Sequence, residues 1–400
     1  MTMQQETVFW PTGREERRQV ALDAVDAIAD ELTAGAEESE KLNRLSDRSF
    51  RALRDAGILG IMTPDDLGGN VVSPVTAFEI VEKIGYIDPA TAWTATILLE
   101  GAGELATVLD PATARDVFSA GLALKAMSLK PGEATEVDGG YVVSGRWDFV
   151  SGLHHANYVS ATFLVPTDSD TQARRAAVIP RDQIELLDDW RVMGMRGTGS
   201  SSFVVKDVFV PHSMIYDPLG HGQRHDTPLA QLGMVPFVLQ MHPGMVLGAA
   251  RRALDTLIDS AHRIRRGSRI NLTAPASLAE STWFQRELGE LDVRVRAARS
   301  FCVETLADVR AVMEAGRRIE LPQLDQMQTA ASHAAKTAVE VTTRCFRHTG
   351  AAAILEDSLL AKILRDLNTI CAHGVLGEAG FETHAEFLLG LQTEQNRRMV

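Results

Sequence analysis

Residues 143–152, VSGRWDFVSG, and residues 194–202, GMRGTGSSS, decide how this chain is read. The residues around and between them alternate with a period near two, as strands do, whereas nearly everything before and after follows a helical period. That predicts one sheet-like insert inside an otherwise helical protein. The insert also carries the densest cluster of Gly, Ser, Thr and Trp in the chain, which suits a flat ligand with a polar edge. Trp147 offers an aromatic wall, Ser151 a hydroxyl, and Gly145 and Gly152 let backbone amides come close. The same residues would equally serve two ordinary hairpin corners.

Working outward toward the N-terminus, residues 89–109 form a nearly apolar helical stretch, expected to be buried, in which Trp93 and Glu100 sit seven apart on one face. A carboxylate on such a face is either paired or functional. Residues 15–33 space Val20, Ala21, Ala24, Val25, Ile28 and Leu32 at helical intervals, and residues 47–56 and 75–84 repeat the pattern. GILGIMTPDDLGGN breaks it with Pro64, Gly68 and Gly69. From Leu122 to Pro211, short alternating runs separated by Pro131–Gly132, residues 138–140 and residues 167–170 predict an antiparallel sheet of six or seven strands. Residues 241–265, 275–315, 320–348 and 357–376 are long Ala- and Leu-rich helical segments, expected to pair as an antiparallel bundle. The expected organisation is a helical domain over 1–121, a β domain over 122–216 and a helical bundle over 217–400, a mainly α member of the α+β class.

Four hundred residues suggest two or three domains, and 45% hydrophobic with 23% charged residues is the balance of a soluble globular protein. A net charge of −13 argues against a nucleic-acid or anionic-membrane surface and leaves a small molecule as the default partner. Cys302, Cys345 and Cys371 lie far apart without a metal spacing, so no metal site is expected and the thiols read as core residues of a reducing compartment. The first residues hold no apolar run of signal-peptide type, and a cytoplasmic location is expected.

Taken in order, GILGIMTPDDLGG, IDPATAW and FVVKDVFVP resemble the signatures of the acyl-CoA dehydrogenase superfamily, over essentially the whole chain. The resemblance implies that superfamily's fold, a flavin between the β domain and the C-terminal bundle, and a homotetramer built by those bundles. Its dehydrogenases carry a catalytic glutamate eight residues after an Arg-Asp pair. Here the segment reads RDLNTICAHGVLGE, with Gly374 at that place, His373 just before it and no carboxylate until Glu378. SGRWDFVSG and GMRGTGS, with a histidine after the Arg-Asp pair on the last long helix, instead resemble the two-component flavin-dependent monooxygenases.

That second resemblance implies reduced FMN or FAD supplied by a separate NAD(P)H:flavin reductase, and O2 reacting through a flavin C4a-hydroperoxide in a site that excludes water. The product would be a hydroxylated or N-oxidised small aromatic or nitrogen-containing substrate. By the same resemblance Ser151 reaches flavin N5 with Trp147 beside the ring, Thr198 and Ser200 line the isoalloxazine or ribityl chain, and Ser128 faces the substrate. His373 would act as base, its ordinary pKa near 6.5 suiting neutral pH. His155 lies near a position where such enzymes carry histidine. Arg263 and Arg266, on one face of a basic helix end, are candidates for the flavin phosphate, although a helix terminus also collects arginines for its dipole. Where the aromatic hydroxylases often hold a histidine late in the buried helix, this chain has Glu100 and Glu104, and a carboxylate there would receive a basic nitrogen or hydrogen-bond an N–H. No GxGxxG motif opens a helix after a strand, so NAD(P)H would be used elsewhere. The rival readings are an FAD-dependent acyl-CoA dehydrogenase and a flavin-free scaffold.

Overall fold

A computed structural model describes residues 10–166, 172–218, 232–264 and 277–391. Six helices come first: α1 (Arg14–Ala27), α2 (Ala29–Leu42), α3 (Asp47–Asp55), α4 (Pro74–Ile87), α5 (Pro89–Val108) and α6 (Pro111–Phe118). Several start where sequence chemistry dictates. Ser73 and Asp88 accept backbone N–H bonds from Thr76 and Thr91 at the starts of α4 and α5, each followed by proline at the first helical position, where no N–H is needed. The single helix expected over residues 15–33 is divided: Ile28 leaves helical geometry (φ −104°, ψ 6°), its N–H turning back to Val25 O, and α2 restarts from its carbonyl.

Seven strands follow, β1 (Lys125–Val137), β2 (Gly140–Trp147), β3 (Tyr158–Pro166), β4 (Gln172–Pro180), β5 (Glu185–Leu186), β6 (Phe203–Pro211) and β7 (Ile215–Tyr216), in the spatial order β5-β6-β2-β1-β3-β4-β7. Every pairing is antiparallel except β1 with β3, which is parallel. The reason lies in β1, which shifts register between Ser128 and Gly132, giving its first half to β3 and its second half to β2. The 148–157 connection carries the chain across from one half to the other. That crossover begins with DFVSG, so the stretch read first from sequence is also the sheet's topological switch.

The helices α7 (Met234–Leu239), α8 (His242–Ala261), α9 (Thr282–Glu314), α10 (Leu321–Thr349), α11 (Leu359–Ile370) and α12 (Ala379–Leu388) complete the described chain. In the C-terminal bundle α10 packs on α8, α9, α11 and α12, while α8 also packs on α4. Gly244 and Gly248 let α8 approach α4, since a Cβ on Gly248 would lie 2.1 Å from Glu82 O. One apolar core runs through helices and sheet, with α5 buried at its centre between β1 and α8.

The helix expected over residues 357–376 stops short. Ala372 and His373 donate to Thr369 and Ile370, three residues back, which tightens the last turn, and His373 then turns extended (φ −75°, ψ 137°) before Gly374. His373 therefore stands on a loop beyond α11 and not on a helix.

Candidate active site

A cavity of about 670 Å³ opens between the β1 and crossover residues on one side and α5, α7, α8, α10 and the end of α11 on the other. Trp93 and Glu100 of α5 both reach it, as their spacing of seven requires. Ser128, Ser151, Thr198, Ser200 and His373 line it too.

Its polar edge is a chain of hydrogen bonds whose direction follows from the donor inventory. The indole N–H of Trp93 donates to Ser151 Oγ (2.8 Å), and Thr198 Oγ1 donates to Met195 O (2.8 Å), leaving Thr198 free to accept from Ser200 Oγ (2.7 Å). Ser200 in turn accepts from Ser151 (2.7 Å). Ser151 is thus held by an indole that can only donate, and its own proton goes to Ser200. The loop carrying Thr198 and Ser200 is anchored from below: Met195 N donates to Asp366 Oδ1 (2.5 Å), and Lys362 Nζ bridges Asp366 (2.7 Å) and Asp88 (2.5 Å). Met195 and Gly199 both take left-handed backbone conformations (φ 58° and 53°) to make that tight loop.

Trp147 departs from the sequence expectation. It is fully buried, stacked on Phe203 at 5.1 Å, and its indole donates to Thr162 O at 3.1 Å. It fills the sheet interior over Gly132 and Gly145, which have no side chains to compete, and does not reach the cavity. Phe149 takes the exposed place. It is 77% exposed, lines the cavity and sits edge-on to Trp190 at 6.2 Å. Its φ of 61° is an uncommon conformation for a bulky residue. The neighbours impose it: Asp148 is held by Lys130 (2.5 Å), Arg146 (2.7 Å) and Ser202 (3.0 Å), while Val150 N donates to Ser201 O (3.1 Å). Nothing in the period-two pattern marks this reversal, which is why Phe149 is not singled out from sequence.

His242, at the start of α8, is the other residue that sequence reasoning misses. It donates Nδ1–H to Val238 O (2.9 Å), and Glu100 Oε1 lies 3.3 Å from the same nitrogen. Trp93 stands edge-on to both His242 (5.2 Å) and His373 (5.1 Å), whose rings are 6.4 Å apart and nearly parallel. The two imidazoles are tuned in opposite directions. Burial works most strongly against a charged His242, but the charge of Glu100, its hydrogen bond and that to Val238 O together hold the pKa above the usual histidine value, while burial pushes the Glu100 carboxyl up as well. His373 has no such partner; the residue is exposed at the cavity mouth, and the packing around its ring, followed by repulsion from His242, lowers its pKa to about 4. The difference from an ordinary histidine is one of basicity: His373 is neutral at neutral pH, as a base must be, but holds a proton more weakly. Its Nδ1 accepts from Val375 N (3.4 Å), so the remaining proton belongs on Nε2.

Three further candidates lie elsewhere. His155 stacks on Phe50 at 4.3 Å and bonds Leu45 O through Nε2 at 2.9 Å, away from the cavity, because the crossover loop turns it toward α3. Arg263 is exposed just past α8 and does not line the cavity, and Arg266 lies outside the described residues. Glu378, the first carboxylate after Gly374, is exposed and pairs with Lys336 at 3.3 Å. Among the lining residues the carboxylates are Asp148 and Glu100, both with cationic partners or imidazole at hand.

The cavity fits a flavin in chemistry as well as in size. An exposed aromatic side chain beside a run of serine and threonine hydroxyls matches a flat ring with apolar faces and a polar rim.

The family model "Acyl-CoA dehydrogenase, N-terminal domain" matches residues 14–106, and "Acyl-CoA dehydrogenase, C-terminal domain" matches residues 240–378. The chain is 26% identical to the indole-3-acetate monooxygenase of Pseudomonas putida over 377 residues, covering 92% of each. It is 27% identical to the oxygenase subunit HsaA of a flavin-dependent monooxygenase from Mycobacterium tuberculosis, covering 89% of this chain and 91% of that one. In fold it is similar to XiaF from Streptomyces sp., solved with FADH2 and glycerol, with a TM-score of 0.87 at 22% identity over 95% of this chain and 97% of that one.

Proposed function

Because the chain belongs to the acyl-CoA dehydrogenase superfamily, in its branch of flavin-dependent monooxygenases, we propose that it is the oxygenase component of a two-component system. In this reading it receives reduced FMN or FAD from a separate NAD(P)H:flavin reductase and uses O2 to hydroxylate or N-oxidise a small aromatic or nitrogen-containing substrate. It works in the cytoplasm as a homotetramer. When bound, the reduced flavin supplies the activation of O2.

The protein's own residues do the rest. Phe149 covers the ring, and Ser151, positioned by the Trp93 indole, turns its one proton from Ser200 to the ring's polar edge. Thr198 and Ser200 continue that edge. Ser128, Trp93 and Glu100 bound the substrate space, whose other walls, Ile97, Val235, Val238 and Leu239, exclude water. His373 donates a hydrogen bond from Nε2. The proton that leaves the substrate is taken at His242 Nε2, because Nδ1 is committed to Val238 and its charge is supported by Glu100. That moves the base from His373, where the family resemblance put it, to α8.

The observation that carries the reading is the cavity itself. It has a serine edge and two imidazoles around Trp93, with Gly374 where a dehydrogenase holds its glutamate. Stopped-flow absorbance tests it: the protein is loaded anaerobically with reduced FMN or FAD and mixed with oxygenated buffer. A transient species distinct from oxidised flavin is expected. Direct reoxidation without a transient, together with bleaching of bound FAD by acyl thioesters, would assign a dehydrogenase.

A further inference from the structure

Gln328 on α10 lines the cavity yet is only 3% exposed, and neither its Oε1 nor its Nε2 has a hydrogen-bond partner among the described residues. A buried side-chain amide with both ends unpaired is a standing cost that folded proteins rarely carry without a ligand or water to relieve it. The polar groups nearest along the helix are engaged elsewhere, apart from Asp325 Oδ1, which is buried without a partner. Thr329 donates to Asp325 O (2.8 Å), Ser332 to Gly377 O (2.6 Å), and the Asp325 carboxylate meets His384 at 2.8 Å. α12 seals this end of the chamber, where a Cβ on Gly380 would lie 2.6 Å from Gln328 O. The other polar side chains of α10 and α11 on this wall, Ser332 and Thr369, are engaged by Gly377 O and Arg365 O, so Gln328 is the unpartnered polar group at its end of the space.

We propose that Gln328 recognises the substrate, and that the substrate is an aromatic compound bearing a lactam or carboxamide. A primary amide side chain presents C=O and N–H2 side by side, and its complement is a group with N–H and C=O at that same spacing. An indole supplies a donor alone, a ketone or carboxylate acceptors alone, and each leaves half of Gln328 unpaired. Sites that hydrogen-bond a ligand group discriminate strongly against analogues lacking it. This proposal rests on reading the cavity as a substrate chamber.

Three compounds of one shape test it by calorimetric titration into the full-length protein, with and without reduced FMN under anaerobic conditions: 2-oxindole (donor and acceptor), indole (donor) and 1-indanone (acceptor). The parent should bind 2-oxindole about tenfold or more tighter than either analogue. Gln328→Leu, and the near-isosteric Gln328→Met should the first fold poorly, should collapse that preference while leaving indole and 1-indanone little changed. No preference in the parent, or the same preference in a folded variant, overturns the proposal. So does a variant that keeps the preference but loses reduced-FMN affinity, since that would assign the amide to the cofactor. An oxindole preference that stands while the stopped-flow test gives no transient would reject the oxygenase reading and keep this one.

Discussion

Phe149 shows how much a single backbone angle decides. Trp147 and Phe149 are two apart and would share one face of a continuing strand, but β2 ends at Trp147 and a positive φ sends the next aromatic outward. If Phe149 covers the flavin ring, Phe149→Ala should weaken reduced-flavin binding about tenfold in an anaerobic titration. It should leave the melting temperature almost unchanged, because the side chain is mostly exposed. A large loss of stability with unchanged flavin affinity would contradict that role. The imidazoles give a sharper contrast. His373, held near 4, stays neutral across the working range, so any limb of the pH-rate profile near or above neutrality belongs to His242, whose pKa is raised. His373→Gln should keep that limb in place and His242→Gln should abolish it, whereas Glu100→Gln should move it to lower pH by leaving burial unopposed. The sign carries into stability. The raised His242 value contributes stability present below its unfolded pKa of about 6.5 and lost as pH rises through the folded value. Denaturant midpoints should show this loss in the parent and not in Glu100→Gln.

At the scale of elements, α11 and the 193–199 loop are joined by buried charge. Lys362 lies between Asp88 and Asp366, and both it and Asp88 are shifted toward their charged forms: burial opposes the shift in each, and the opposite charges overcome it. Lys362→Met would leave two buried carboxylates uncompensated. A loss of about 3–5 kcal/mol is expected from urea unfolding monitored by circular dichroism. Reduced-flavin binding should weaken as well, because Asp366 holds the backbone of Met195 and thereby the Thr198–Ser200 edge. The helices α4, α5, α9 and α10 were legible in sequence from their periodicity. Ends were not. α11 stops at Ile370 because its last turn tightens before a Gly-rich loop, a competition between near-equal conformers that periodicity does not register.

For the whole molecule, light scattering should give a mass four times that of the chain. A monomer would remove the assembly inferred from the family resemblance. No helix among the described residues is long and apolar enough to cross a membrane. Sequence alone determined the order of helices, sheet and bundle, the family, and the serine edge of the site, because periodicity and short glycine motifs are local and survive without knowledge of the partner elements. Trp93, Glu100 and Ser151 were picked out from spacing and motif, Ser128, Thr198 and Ser200 from the family resemblance, and all line one cavity. Only the tertiary structure decided that Trp147 is core while Phe149 lines the cavity, that His155 turns away, and that Glu100 stands beside His242. It also left Gln328 without a partner. Those facts depend on which distant atoms surround a group, since desolvation and pairing act through space and have no period along the chain.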